Sequence, residues 1–163
     1  LTWGSPGAPG LLFIHGGAAH AHWWSFVVPL LADHYRVAAM DLTGHGDSDH
    51  RPDGEYTLPN WTGEVMAVAE AADMAPEPVV VGHSMGGFVS IATAASHGDR
   101  LGGIVILDSP VTAPDPEIDA ARGGKVFGPL RVYPDLDTAL GRFRTVPEQD
   151  HYLPYVMDHV ARH

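Results

Sequence analysis

Apolar residues gather in four short runs, at residues 11–14, 35–40, 78–81 and 104–107. Short runs without polar alternation mark strands buried on both faces, as in a parallel sheet. Between them the apolar spacing becomes helical, over residues 23–32, 60–74 and 85–96. In the second of these, Trp61, Val65, Val68, Ala69 and Ala72 recur at i, i+4, i+7, i+8 and i+11, leaving Glu64 and Glu70 for the solvent side. Asn60, after Pro59, is the expected N-cap. Turn-rich residues 4–10 precede the first run.

Strand and helix in alternation predict an α/β fold: a mostly parallel sheet with right-handed crossovers and flanking helices. Sites in such sheets gather at the carboxyl ends of the strands. Here those ends carry His15-Gly16-Gly17, residues 41–49, residues 82–87 and Asp108-Ser109-Pro110. After Pro110, Pro and Gly become frequent, and short helical stretches follow at residues 116–122, 136–143 and 147–162 without another buried run. The chain therefore divides, by pattern, into a core over residues 1–110 and a helical cap region over residues 111–163.

The sharpest motif is Gly82-His83-Ser84-Met85-Gly86-Gly87, directly after the β-branched run Val79-Val80-Val81 and directly before a helical stretch. A Ser on a tight strand-to-helix turn has a strained backbone, and neighbouring glycines remove side chains that would clash. The helix that begins at Met85 aims free amides and a positive dipole end at the place where negative charge develops in acyl transfer. Ser84 is accordingly the candidate nucleophile; the competing reading is a Gly-rich helix start with Ser84 as N-cap. A tetrahedral oxyanion needs two donors, and the backbone amides of Met85 and Gly17 are the candidates. Gly16, His15, His83 and Trp23 are expected around the substrate. His20, His22, Trp23 and Trp24 either line the mouth of that pocket or pack under the cap, with the core as the alternative for the Trp pair, and the same ambiguity applies to the cap aromatics Phe127, Tyr133, Phe143, Tyr152 and Tyr155. Asp41 and His45, in a loop with Gly44 and Gly46, read as structural.

Composition narrows the partners. The chain has 163 residues, 9 Lys+Arg, 20 Asp+Glu, 11 His and no Cys, for a formal charge of −11. That charge repels nucleic acid at long range. The lack of Cys excludes disulfides, thiol catalysis and thiolate zinc sites. No apolar run approaches the ~20 residues of a membrane span. Despite the many His, no His-Glu-x-x-His or other ligand spacing occurs, so neither a metal nor another cofactor is expected. With no targeting signal visible, a cytoplasmic location is the default expectation. Oligomeric state is left open.

Together, the His15-Gly16-Gly17 loop, Asp41-Leu42-Thr43-Gly44-His45-Gly46-Asp47-Ser48 and the Ser84 elbow resemble the α/β-hydrolase family from about Gly10 to Pro110. The resemblance implies a cofactor-free serine hydrolase of esterase type, acting on a small acyl substrate through an acyl-enzyme at Ser84. It excludes the dehalogenase and epoxide hydrolase chemistries of this fold, which place Asp at the nucleophile position. In this family the acid and then the His follow the Ser. His97, His151, His159 and His163 lack the loop context of a general base, and Asp108 is either the triad acid or a structural residue at the cap hinge. The expectation is thus a chain that stops within the cap, with its base beyond residue 163, and that is inactive alone. The alternatives are a non-catalytic fragment or ligand-binding relative and, within the fold, a carbon-carbon bond hydrolase, lactonase or perhydrolase.

Overall fold

The computed structural model describes residues 1–111 and 131–163. These fall into two compact units, Leu1–Pro110 and Val111–His163. The first is built on a sheet of β1 (Thr2–Trp3), β2 (Gly10–Ile14), β3 (Arg36–Met40), β4 (Val79–His83) and β5 (Gly103–Leu107). Their spatial order is β1-β3-β2-β4-β5. β2 to β5 run parallel, while β1 is antiparallel to β3, pairing Thr2 with Ala38 and Trp3 with Val37. The four predicted runs are these parallel strands; the two-residue β1 is too short for any periodicity to announce it.

The pleat divides the core in two. Leu12, Ile14, Ala38, Met40 and Val80 face Trp61, Val65 and Ala69 of helix α1 (Leu58–Ala71) and Val89 of helix α2 (Met85–His97). Phe13, Val37, Ala39 and Val81 point the other way, onto Ala21 and Val28. Successive residues of one strand therefore serve opposite faces, which is why these runs are apolar without alternation. Each buried Leu, Ile or Val stabilises the fold by roughly 1.5–3 kcal/mol.

Three expectations change in this first unit. In place of a helix over 23–32 there are two 3-10 turns, Ala21–Trp24 and Val28–Leu31. Pro29 has no N–H, and its ring blocks the carbonyl four residues back, so an α-helix cannot run through it. The N-cap of α1 is Thr57, whose hydroxyl accepts the Asn60 N–H at 3.4 Å, while the Asn60 amide donates to the Glu55 carbonyl. Glu64 does not simply face solvent: its carboxylate accepts from the Thr43 N–H at 3.1 Å and the Thr43 hydroxyl at 2.6 Å. Glu70 is exposed and pairs with Arg100.

Among the described residues β5 forms an edge of this sheet and is less buried than a central strand, with Val105 43% and Leu107 39% exposed. In the second unit, Asp135 caps α3 (Leu136–Arg142) by accepting the Thr138 N–H at 2.7 Å. α4 spans Pro154–Arg162, shorter than the pattern suggests because Pro154 belongs in a first helical turn. Leu140, Phe143, Tyr152 and Met157 are among the residues that enclose a cavity of about 510 Å³ within this unit. The expected helix at 116–122 and Phe127 lie outside the described residues. Among the described residues, no helix is long and apolar enough to cross a membrane.

Candidate active site

Ser84 stands alone between β4 and α2, with φ 51 and ψ −113. A side-chain-bearing residue in this left-handed region costs on the order of 1–3 kcal/mol, which the surrounding contacts must offset. They do so on both sides. A Cβ on Gly82 would lie 2.2 Å from the Gly86 carbonyl oxygen, and one on Gly86 would lie 2.6 Å from the carbonyl oxygens of both Ile14 and His15. The elbow is therefore pressed against the end of β2 as closely as backbone allows. The Ser84 N–H donates to the Leu107 carbonyl at 3.0 Å; its own carbonyl accepts from the Gly87 N–H at 3.0 Å and from the Ser109 hydroxyl at 2.8 Å. Although Ser84 occupies the N-cap position of α2, its side chain makes no cap hydrogen bond. The hydroxyl is not spent on the helix.

The loop after β2 meets this turn. A Cβ on buried Gly16 would fall 3.3 Å from the Ser84 Cβ and 2.9 Å from the His83 Nδ1. The Gly16 carbonyl points away into hydrogen bonds with the His15 ring at 2.7 Å and the Ala19 N–H at 3.3 Å. A trans peptide sets its N–H opposite its carbonyl, so the same contacts orient the Gly17 amide.

His15 is 1% exposed and fully occupied. Its Nε2 accepts the Leu42 N–H at 3.1 Å, and its Nδ1 donates to the Gly16 carbonyl. A backbone N–H can only donate and a carbonyl can only accept, so the neutral Nδ1–H tautomer follows. Burial is the largest influence on this ring and holds its pKa down to about 4. His15 thus supports the loop as a neutral strut. Asp41 braces the next stretch: one carboxylate oxygen accepts the Ala21 N–H at 2.6 Å and the other the Asp47 N–H at 3.1 Å. The His45 ring packs 5.0 Å from His15 and 6.3 Å from Trp61.

A cavity of about 220 Å³ is lined by His15, Gly16, Ala19, Trp23, Trp24, His83 and Leu107. The four residues expected around the substrate, His15, Gly16, Trp23 and His83, all contribute to it. Trp24 serves both readings, lining the cavity while its ring packs 5.0 Å from Phe13 and edge-on to His83 at 6.5 Å. Ala19 and Leu107 carry no chemical signal that would have selected them from the sequence. Asp108, at the carboxyl end of β5, is exposed and takes φ 50. His97 ends α2, the length of a 13-residue helix away from Ser84.

The family model described as alpha/beta hydrolase fold matches residues 9–145. The chain belongs to the alpha/beta hydrolase family. It is 36% identical over 109 residues to a serine hydrolase-like protein of Danio rerio, covering 66% of this chain and 33% of that protein. It is 39% identical over 109 residues to an esterase of Mycobacterium tuberculosis, covering 66% of this chain and 35% of that protein. Among solved structures, a thioesterase domain from the curacin biosynthetic pathway superposes with a TM-score of 0.66 at 28% identity, covering 86% of this chain and 54% of that domain. The chain spans about a third of the length of these two curated hydrolases.

Proposed function

We propose that this alpha/beta hydrolase chain carries the nucleophilic half of a serine esterase. The Ser84 hydroxyl attacks the carbonyl carbon of a small acyl substrate, and a histidine of the parent protein outside residues 1–163 takes its proton. The Gly17 and Met85 amides hold the oxyanion. Collapse expels the alcohol, which receives that proton, and water then releases the acid from the Ser84 ester. The observation that carries this reading is Ser84 itself: strained at φ 51, placed at the start of α2, and not used to cap it. The relatives named as a serine hydrolase-like protein and an esterase support the same chemistry.

The cavity beside Gly16 and His83 favours a short, apolar acyl group. It is walled mainly by Trp23, Trp24, Ala19 and Leu107 and, at about 220 Å³, is smaller than the ~300–1,000 Å³ typical of sites for drug-sized ligands. In this reading the base lies outside residues 1–163, so these residues by themselves should react only slowly. The test uses the full-length protein with p-nitrophenyl butyrate and a fluorophosphonate probe. Ser84→Ala should abolish labelling and lower kcat by on the order of 10⁴-fold or more. Unchanged turnover in that variant would remove Ser84 from the mechanism.

A further inference from the structure

We propose that Ser109 is a positioning residue that sets the direction of the Met85 oxyanion donor; the inference rests on the acyl-transfer reading of Ser84. The Met85 N–H belongs to the peptide group whose carbonyl is that of Ser84. The group is planar and trans, so whatever fixes the carbonyl fixes the N–H pointing the opposite way. The Ser109 hydroxyl donates to that carbonyl at 2.8 Å. The Gly87 N–H accounts for its second bond, at 3.0 Å, but that bond lies within the opening turn of α2 and moves with it. Ser109 holds the peptide from outside the helix, on the loop that follows β5.

That loop is built for the contact. β5 pairs with β4 up to His83 and Leu107, and the Leu107 carbonyl takes the Ser84 N–H. Asp108 then turns the chain through φ 50, and the next residue is Ser109. Half-buried Ser109 presses on the first turn of α2 so closely that a Cβ on Gly87 would lie 2.0 Å from its Oγ. The second glycine of Met85-Gly86-Gly87 thereby acquires a reason that the elbow turn alone does not supply: it leaves room for the Ser109 hydroxyl. The arrangement parallels the other side of the site, where the His15 ring holds the Gly16 carbonyl and so the Gly17 amide. Each proposed oxyanion donor is thus backed by a side chain on the carbonyl of its own peptide.

The test compares wild type, Ser109→Ala and Ser109→Thr in the full-length protein. It measures kcat and KM on p-nitrophenyl butyrate, with active sites counted by fluorophosphonate titration, and the inhibition constant of butylboronic acid, which forms a tetrahedral adduct with a serine hydroxyl. Removing an oxyanion donor outright costs about 10²–10³ in kcat; loosening one should cost roughly tenfold. Ser109→Ala is expected to lose that factor in kcat and in boronate affinity with KM within twofold, and Ser109→Thr, which keeps the hydroxyl, to recover most of both. Titration confines the comparison to folded molecules. Wild-type kcat and boronate affinity in Ser109→Ala would overturn the proposal, as would a loss of kcat with unchanged boronate affinity, while Ser84 retained its role. A wild-type protein that neither turns over the ester nor labels at Ser84 would overturn the esterase reading and this inference together.

Discussion

The two loops that meet at Ser84 are held by different physics. The elbow after β4 is held by contact: Gly82 and Gly86 let backbone touch backbone, and the strain at Ser84 is balanced by packing against β2 and hydrogen bonds to Leu107 and Ser109. The loop after β2 is held by polar side chains, the buried neutral His15 ring and the half-buried Asp41 carboxylate, each making two bonds to backbone. Steric support and bonds from amides or hydroxyls do not titrate, whereas the His15 ring does. One side of the proposed oxyanion hole should therefore be sensitive to volume and the other to pH.

The largest expected effect attacks the contact side. Gly86→Ala sets a methyl 2.6 Å from two carbonyl oxygens of β2 and its end, neither of which can move without breaking the sheet. It should destabilise the protein by about 3 kcal/mol or more, read as a lower urea midpoint. An effect below about 1 kcal/mol would mean that the elbow yields and that packing does not hold Ser84.

Next comes the polar side. Free His titrates at 6.5 and buried His15 at about 4, so between these pH values the unfolded chain carries a proton that the folded one refuses. Stability from this residue is therefore fully present above pH 6.5, falls as pH falls towards 4, and changes no further below that. The total is about 3 kcal/mol. In His15→Leu this part of the pH dependence should vanish from urea titrations, while stability at pH 7 drops by about 2–3 kcal/mol as the Leu42 N–H and Gly16 carbonyl lose their partner. An unchanged pH slope would show that His15 is not the titrating strut. Asp41→Asn keeps one acceptor oxygen of two and should cost about 1–2 kcal/mol in the same measurement.

The smallest effect lies outside both loops. Thr57→Ala removes the N-cap of α1 and should cost about 1 kcal/mol. Ser84 labelling kinetics in full-length protein should not change, since no loop contact is touched.

Much of this frame is legible in the sequence because it depends on local order. Four apolar runs name the parallel strands, and Gly82-His83-Ser84-Met85-Gly86 between a β-branched run and a helical one names the turn. The failures share a cause. Pro29 overrides the helical spacing around it, Thr57 caps α1 from three residues before the polar side chain that seemed placed for it, and Glu64 turns inward because Thr43 happens to lie opposite. In each case one specific feature, a proline ring or a hydrogen-bond partner, outweighs a general tendency worth a few tenths of a kcal/mol per residue.

By itself the sequence determined the kind of turn at Ser84 and the residue types that could stand there, because strand burial, helix spacing and glycine sterics act over a few neighbours. Only the tertiary structure decided what holds that turn in register with the loop beside it. Leu42 reaches His15 across 27 positions, Ser109 reaches Ser84 across 25 and Asp41 reaches Ala21 across 20. Such pairs leave no periodic trace: a Ser, Asp or His in a loop has many possible partners, and the sheet selects one by bringing the strand ends together.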